Sequence, residues 1–285
     1  MGSTVVVVTG PGHPKLLESD YVLRHVVDFW KPRGVRFELA TDPKVAPPGD
    51  VAWQHLDVTT VDERYRELLN RYPRSINGEA ISIAKRGTVT HLVERDDDWP
   101  GPVLIKTDRN FGGRGEDWAH GWTLLRHPLV HSFLDHLPAR ISGRMDPAKY
   151  PIFQSKSDVP TWVWRDRRFV VQRFLAERSG GAYAIRRWFF FGPESFAYRA
   201  LAGAPIVMGD GHSEWTKLAA VPSELAQLRQ GMHLDFGKID YAEVDGDVVV
   251  YDVNSAVSAD EHRDRRLQMV IVAALVPGLA AFLEG

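Results

Sequence analysis

Apolar and polar positions change their period several times along the chain. Thr4–Thr9 is a β-branched apolar run, the pattern of a strand buried on both faces in a parallel sheet. Gly10-Pro11-Gly12 breaks it, and Leu16, Leu23, Val26, Val27 and Trp30 then recur at helical spacing until Pro32 and Gly34. Val35–Ala40 and Val51–Val58 read as strands. Thr60 and Glu63 stand at capping-box spacing ahead of the stripe Val61, Tyr65, Leu68, Leu69 and Tyr72. This β-α-β-β-α run predicts a small open α/β domain over residues 1–75.

Farther along, Thr88–Val93 and Val103–Thr107 read as strands, and the glycine-rich stretch Asn110-Phe111-Gly112-Gly113-Arg114-Gly115 follows the second directly. Residues 120–150 mix short helical pieces with Pro and Gly and give no clear element. Phe169–Leu175, Tyr183–Phe191 and Ser195–Ala200 have strand composition. A helix capped by Ser223 turns Leu225, Leu228 and Met232 inward. A hairpin follows: Lys238–Val244, an Asp245-Gly246-Asp247 turn, and Val248–Asn254. Asp260 and Glu261 fall in the first turn of a terminal helix, where negative charge suits the dipole.

Composition narrows the function classes. The 285 residues suffice for about two domains of ordinary size. Lys plus Arg number 35 and Asp plus Glu 37, a balance that argues against a nucleic-acid or membrane-surface specialist. The chain has no cysteine, which excludes disulfides, zinc–thiolate sites and thiol catalysis. Val5–Val8 is too short for a signal-peptide core and has no basic residue before it. Met269–Val276, closed by Pro277-Gly278, covers about a third of a membrane span and reads as a buried helix. A cytoplasmic location is the default expectation.

The hairpin carries the chemistry. Asp252 and Asn254 are two apart on one strand and face one side. Asp240 joins them only if the register slips by one residue. A two-residue turn alone pairs it with Tyr251, whereas a three-residue turn or a bulge pairs it with Asp252, and the second arrangement is expected. Oxygen donors on Val-rich strands are costly without a cation, and magnesium takes such ligands with phosphates completing its shell. The plain alternative is that Asp240 and Asp252 cap loops and Asn254 begins a turn.

This hairpin resembles the C-terminal signature of the ATP-grasp superfamily, which includes D-alanine–D-alanine ligase, glutathione synthetase and the ribosomal-protein glutamate ligases. The resemblance rests on Asp240, Asp252 and Asn254. Asp252 stands where the family usually has Glu, and Val257 where a Pro often follows. Val103-Leu104-Ile105-Lys106 and Gly112-Gly113-Arg114-Gly115 resemble the family's lysine strand and flexible phosphate loop, and Lys85 resembles its earlier phosphate lysine. Val171-Gln172-Arg173-Phe174-Leu175-Ala176-Glu177 resembles the adenine hinge. There the backbone of Arg173 and Leu175 would meet the adenine edge, Gln172 its exocyclic amine and Glu177 the ribose. Arg186 and Arg199 resemble arginines aimed at the transferred phosphate or acyl group, and Arg187 is expected to face away toward solvent. The resemblance covers about Ile76 to Ser258.

The resemblance implies an ATP-grasp fold: the α/β unit, a central lobe over 76–168 and a C-terminal lobe over 169–285 clasping ATP between them. It implies ATP with magnesium, two ions with manganese as a substitute, held by Asp240, Asp252 and Asn254. Lys85, Lys106, Gly112, Gly113 and Gly115 would hold the phosphates, with Lys106, Arg186 and Arg199 acting on the transferred group. The activity implied is ligation of a carboxylate, on an amino acid or small peptide, to an amine through an acyl-phosphate, with no nucleic-acid or membrane partner and a homodimer left open. A kinase, a nucleotide-binding protein without turnover and a plain α/β binding module are the alternatives. His120, His127, His131 and His136 include an i, i+4 pair but no evident third ligand, and read as a solvated helix face. Trp118, Trp122, Trp162 and Trp164 read as core, with a substrate-pocket wall as the alternative, and Gly10-Pro11-Gly12-His13 as a turn at a strand end where open α/β folds place ligands, with contact to the acceptor substrate as the alternative.

Overall fold

In a computed structural model of the chain, residues 2–11, 13, 15–113, 116, 128–207, 214–259 and 264–283 are described, with the backbone alone at 128, 129, 131 and 132. Gly12, Arg114, Gly115, Trp118, His120, Trp122, His127, Asp260 and Glu261, and the His131 side chain, all given roles from sequence, lie outside the described residues.

The first unit is a four-stranded sheet of β1 (Thr4–Val8), β2 (Arg36–Ala40), β3 (Val51–Gln54) and β4 (Arg74–Ile76) in the order β2-β1-β3-β4. All its pairings are parallel. The valines of β1 show why the run is apolar throughout. Val6 and Val8 pack with Tyr65, Leu68 and Leu69 of the helix Glu63–Leu69. Val5 and Val7 face Leu23, Val26 and Val27 of the helix Val22–Trp30. Both faces are covered, as parallel sheets require. The cap of the helix Glu63–Leu69 is Asp62, whose side chain accepts the Arg64 N–H, and not Thr60. The helix Ser223–Gly231 is preceded by Pro222 and has no side-chain cap, so Ser223 is its first residue and not its cap.

The second sheet is antiparallel, β6 (Ile152–Phe153), β5 (Val103–Thr107) and β7 (Phe169–Arg173) in the order β6-β5-β7. Phe169–Arg173, read from sequence as opening the third unit, therefore pairs with the lysine strand. The expected strand Thr88–Val93 is instead the end of a single helical turn, Lys85–Thr88, followed by a segment with one bridge, Leu92 to Gln172. Its β-branched residues are held by isolated backbone bonds, such as Val93 N–H to the Val171 carbonyl.

The third sheet holds β8 (Glu177–Ser179), β9 (Ala182–Phe191), β10 (Glu194–Ala202), β11 (Glu214–Lys217), β12 (Phe236–Val244) and β13 (Asp247–Asn254). Its order is β11-β10-β9-β12-β13, with β8 also on β9. Phe189, Phe191, Phe196 and Tyr198 share a core with Val5, Val7 and Trp53 of the first sheet. The helix Arg265–Leu275 and its continuation to Leu283 cover that core, with Leu267, Ile271, Leu275 and Leu279 buried. This 19-residue stretch is long and apolar enough by composition to cross a membrane, more than the shorter run read from sequence suggested. Met269 is 71% exposed, so the expected burial holds for one face of the helix only.

Candidate active site

The hairpin β12–β13 fixes the site. Asp245 and Gly246 have φ of 53° and 91°, the left-handed pair of a two-residue turn. From it the register runs Val244 to Asp247, Glu243 to Val248, Ala242 to Val249 and Tyr241 to Val250, then shifts so that Asp240 meets Asp252. Tyr251 is the extra residue of the bulge, which brings Asp240 and Asp252 opposite one another as expected. Lys238 pairs with Asn254 one step along on the same face.

These four residues line a cavity of about 460 Å³ together with Lys85, Lys106 and Arg187. Asn110, Phe111, Phe174, Ala176, Tyr183 and Val207 form part of its remaining wall. Lys85, Lys106, Arg187 and Lys238 are at most 5% exposed. Lys85 Nζ lies 2.9 Å from Asp252 Oδ1. Lys238 Nζ lies 3.5 Å and Arg187 Nε 3.7 Å from the Asp240 carboxylate. Lys106 Nζ donates to Gln172 Oε1 at 2.9 Å and to the Tyr251 carbonyl at 2.8 Å. Burial pushes Lys106 down to about 7, partly offset by Asp252. Burial acts on Lys85 in the same direction, but its ion pair with Asp252 outweighs it and Lys85 is raised. Asp252 is lowered, because Lys85 and Lys106 outweigh the burial that would raise it.

Among the described residues four buried basic side chains thus gather around two carboxylates in one cavity, an arrangement that favours an anionic ligand. Among the described residues no group of three or more His, Cys, Asp or Glu is placed to hold a metal. Asp240, Asp252 and Asn254 supply hard oxygens on one face, a set that fits a magnesium ion whose shell phosphate and water complete.

Asn110 and Phe111, at the start of the glycine loop, line this cavity, whereas Gly112 and Gly113 do not. Gly112 has φ 67°, and a Cβ there would lie 2.0 Å from the Met145 carbonyl oxygen, so a side chain cannot be accommodated without backbone movement. Gly113, at φ 86°, is also left-handed.

The adenine-hinge and arginine calls meet a different arrangement. Gln172 is fully buried and donates both amide hydrogens, at 2.8 Å, to the Thr90 and Val250 carbonyls. With Lys106 on its oxygen, its amide is used inside the protein. Arg173 N–H donates to the His91 carbonyl and its guanidinium stands over Trp99. The Leu175 carbonyl accepts from the Tyr251 hydroxyl. The hinge reaches the cavity through Phe174 and Ala176 instead. Glu177 accepts from Arg186 at 2.8 Å, from Arg199 at 2.6 Å and from the Glu243 N–H at 3.1 Å. Burial would raise Glu177, but these partners lower it. Arg186 and Arg199 are register partners on β9 and β10 and share the face opposite Arg187. Arg187, expected to be solvent-exposed, is 2% exposed and lines the cavity, while Arg186 does not. The stretch after Arg187 is apolar on both faces, so no alternation told which arginine pointed inward. Lys238 could have been found, since it stands two residues before Asp240 on the same strand.

No family model and no curated protein sequence matches the chain. Solved structures do. A D-alanine–D-alanine ligase from Bacillus anthracis is 14% identical, with 99% of each chain covered and a TM-score of 0.45. A RimK domain ATP-grasp protein from Sphaerobacter thermophilus is 14% identical, covering 98% of this chain and 100% of that one, with a TM-score of 0.48. A RiPP-associated ATP-grasp ligase from Chryseobacterium gregarium, solved with ADP and a leader and core peptide, is 9% identical, with 97% of each chain covered and a TM-score of 0.47. The chain is similar to ATP-grasp proteins over nearly its whole length. At such identities and TM-scores no residue role passes from those proteins to this one.

Proposed function

We propose that the protein is an ATP- and magnesium-dependent ligase that joins a carboxylate to an amine through an acyl-phosphate. The observation that carries this is the gathering of Lys85, Lys106, Lys238 and Arg187 around Asp240 and Asp252 in one cavity. Lys85, Lys106, Lys238 and Arg187 suit a triphosphate, whose charge would replace the water these groups have lost. The apolar wall of Phe174, Ala176, Tyr183 and Val207 suits a nucleobase.

Asp240, Asp252 and Asn254 would hold magnesium, which supplies neutralisation of the phosphate oxygens when bound. In the transfer, a substrate carboxylate oxygen attacks the γ-phosphorus and ADP leaves. The amine nitrogen then attacks the acyl carbon, phosphate leaves, and the amine proton passes to solvent. Lys238, and Lys106 once a bound phosphate favours its protonated form, would place positive charge where the transferred phosphoryl group develops negative charge. Arg187, whose terminal nitrogens donate to the Tyr198 hydroxyl at 3.1 Å and the Val207 carbonyl at 2.9 Å, turns its Nε toward Asp240 and would add positive charge beside the transferred phosphate. The glycines that follow Asn110 and Phe111 would let the loop bring backbone N–H groups toward the phosphates. The acid would be an amino acid or small peptide.

The test is ADP release from Mg-ATP with pooled amino acids and peptides, comparing the native chain with Lys106→Ala and Asp252→Ala. Release that depends on both acid and amine, and that falls by about a hundredfold or more in each variant, supports the ligase. Phosphorylated product without use of an amine would instead favour a kinase. Neither turnover nor a thermal shift with Mg-ATP would sink the nucleotide reading.

A further inference from the structure

The glycine loop is fastened to the first sheet. Asp57 and Thr59 follow β3 at the carboxyl ends of the parallel strands. Thr59 Oγ1 accepts the Asn110 N–H at 2.7 Å, and Asp57 Oδ1 accepts the Asn110 side-chain amide at 3.0 Å. Asn110 Oδ1 accepts the next N–H, that of Phe111, at 2.9 Å. On the other side Asp57 Oδ2 accepts the Tyr21 hydroxyl at 3.4 Å. The Thr59 N–H donates to Glu116 Oε1 at 3.1 Å, so the same segment also holds a residue beyond the loop. Phe111 has φ 43° and ψ 45°, a left-handed backbone that a bulky side chain rarely adopts. Such a conformation persists only where its surroundings over-determine it. Here they do: Asn110 is 2% and Thr59 6% exposed, and every polar group of the Asn110 side chain is engaged.

Asn110 and Phe111 line the cavity, whereas Asp57 and Thr59 do not. We infer that Asp57 and Thr59 are positioning residues which act through Asn110. They hold Phe111 and the glycine loop in the conformation that receives the phosphates of a nucleoside triphosphate. This rests on the nucleotide reading above. The first sheet is then part of the phosphate site, and its carboxyl edge, through Tyr21 and Asp57, is mechanically joined to the loop.

The substitutions Thr59→Val and Thr59→Ser separate this role from packing. Valine has the shape of threonine without the acceptor, and serine keeps the acceptor. The readouts on the full chain are calorimetric binding of Mg-ADP and the hydrogen-exchange rates of the Asn110 and Phe111 amides. Thr59→Val is expected to weaken binding about tenfold and to speed Asn110 exchange by about tenfold or more, and Thr59→Ser to stay within about twofold of native in both. Should Thr59→Val fail to fold, Asp57→Ala at a half-buried position gives the same two readouts. Native binding and native exchange in the valine variant would overturn the positioning role while leaving the nucleotide reading intact. Absence of Mg-ADP binding by the native chain would overturn both, and is told apart because it appears before any substitution is made.

Discussion

At the residue scale, two neighbouring arginines divide two tasks. Arg187 faces the cavity beside Asp240, while Arg186 bridges Glu177 and Glu243 on the other face. Arg187→Met is expected to cut ATP turnover by about a hundredfold, and Arg186→Met to leave turnover within about threefold of native while lowering stability by about 1–3 kcal/mol. ADP-release rates and urea unfolding of the two variants check this, and equal turnover defects in both would contradict the placement. His55 makes a second prediction. Burial holds its imidazole down to about 3 from 6.5, and among the described residues neither ring nitrogen has a hydrogen-bond partner. Its folded pKa is depressed, so the unfolded chain binds the extra proton between those values and stability falls as pH drops below 6.5. At pH 5 the cost is about 2 kcal/mol. Urea unfolding of His55→Leu at pH 7 and pH 5 should show that much less loss than the native chain.

At the scale of elements, the hairpin and the loop depend on backbone positions more than on side chains. The bulge at Tyr251 sets Asp240 against Asp252, and the left-handed turn at Asp245-Gly246 fixes the count of residues up to it. At the loop, Gly112→Ala places a Cβ 2.0 Å from a backbone oxygen in a left-handed conformation, so the chain around Met145 must move. That variant is expected to lose about tenfold or more in Mg-ATP turnover with a stability loss of about 1–3 kcal/mol. Kinetics over a range of ATP concentrations check it: an unchanged KM for ATP would separate Gly112 from the phosphates. Sequence reading found this loop, the lysine strand and the hairpin because glycine, a buried-strand lysine and alternating acids are local signals. It misread Thr88–Val93, where β-branched residues form a tether without a ladder, and it carried no sign that Gln172 ties Lys106 to Thr90 and Val250.

At the scale of the molecule, the first and third sheets share one core. Trp53 of β3 lies with ring centroids 4.8 Å from Phe191 and 5.1 Å from Phe236. Trp53→Ala is therefore expected to cost about 3–5 kcal/mol and to lower the stability of both units in one transition. Far-UV circular dichroism and a probe in each sheet, followed through the same urea titration, should give coincident midpoints; separate midpoints would mean that the sheets unfold independently.

The sequence by itself determined the alternation of helix and strand in the first unit, the polar face of the hairpin and the presence of a lysine-bearing strand followed by a glycine-rich loop. These follow from periodicity and from the conformational freedom of particular residues, which neighbours in sequence express. Tertiary structure alone decided which of Arg186 and Arg187 meets the cavity, that Glu177 is consumed by Arg186 and Arg199, and that Asp57 and Thr59 hold a loop some fifty residues on. The first two depend on which face of a strand another element covers, and the third on which loops the packing of the sheets brings together. A strand apolar on both sides carries no record of that choice, because it is made by the packing of distant parts of the chain.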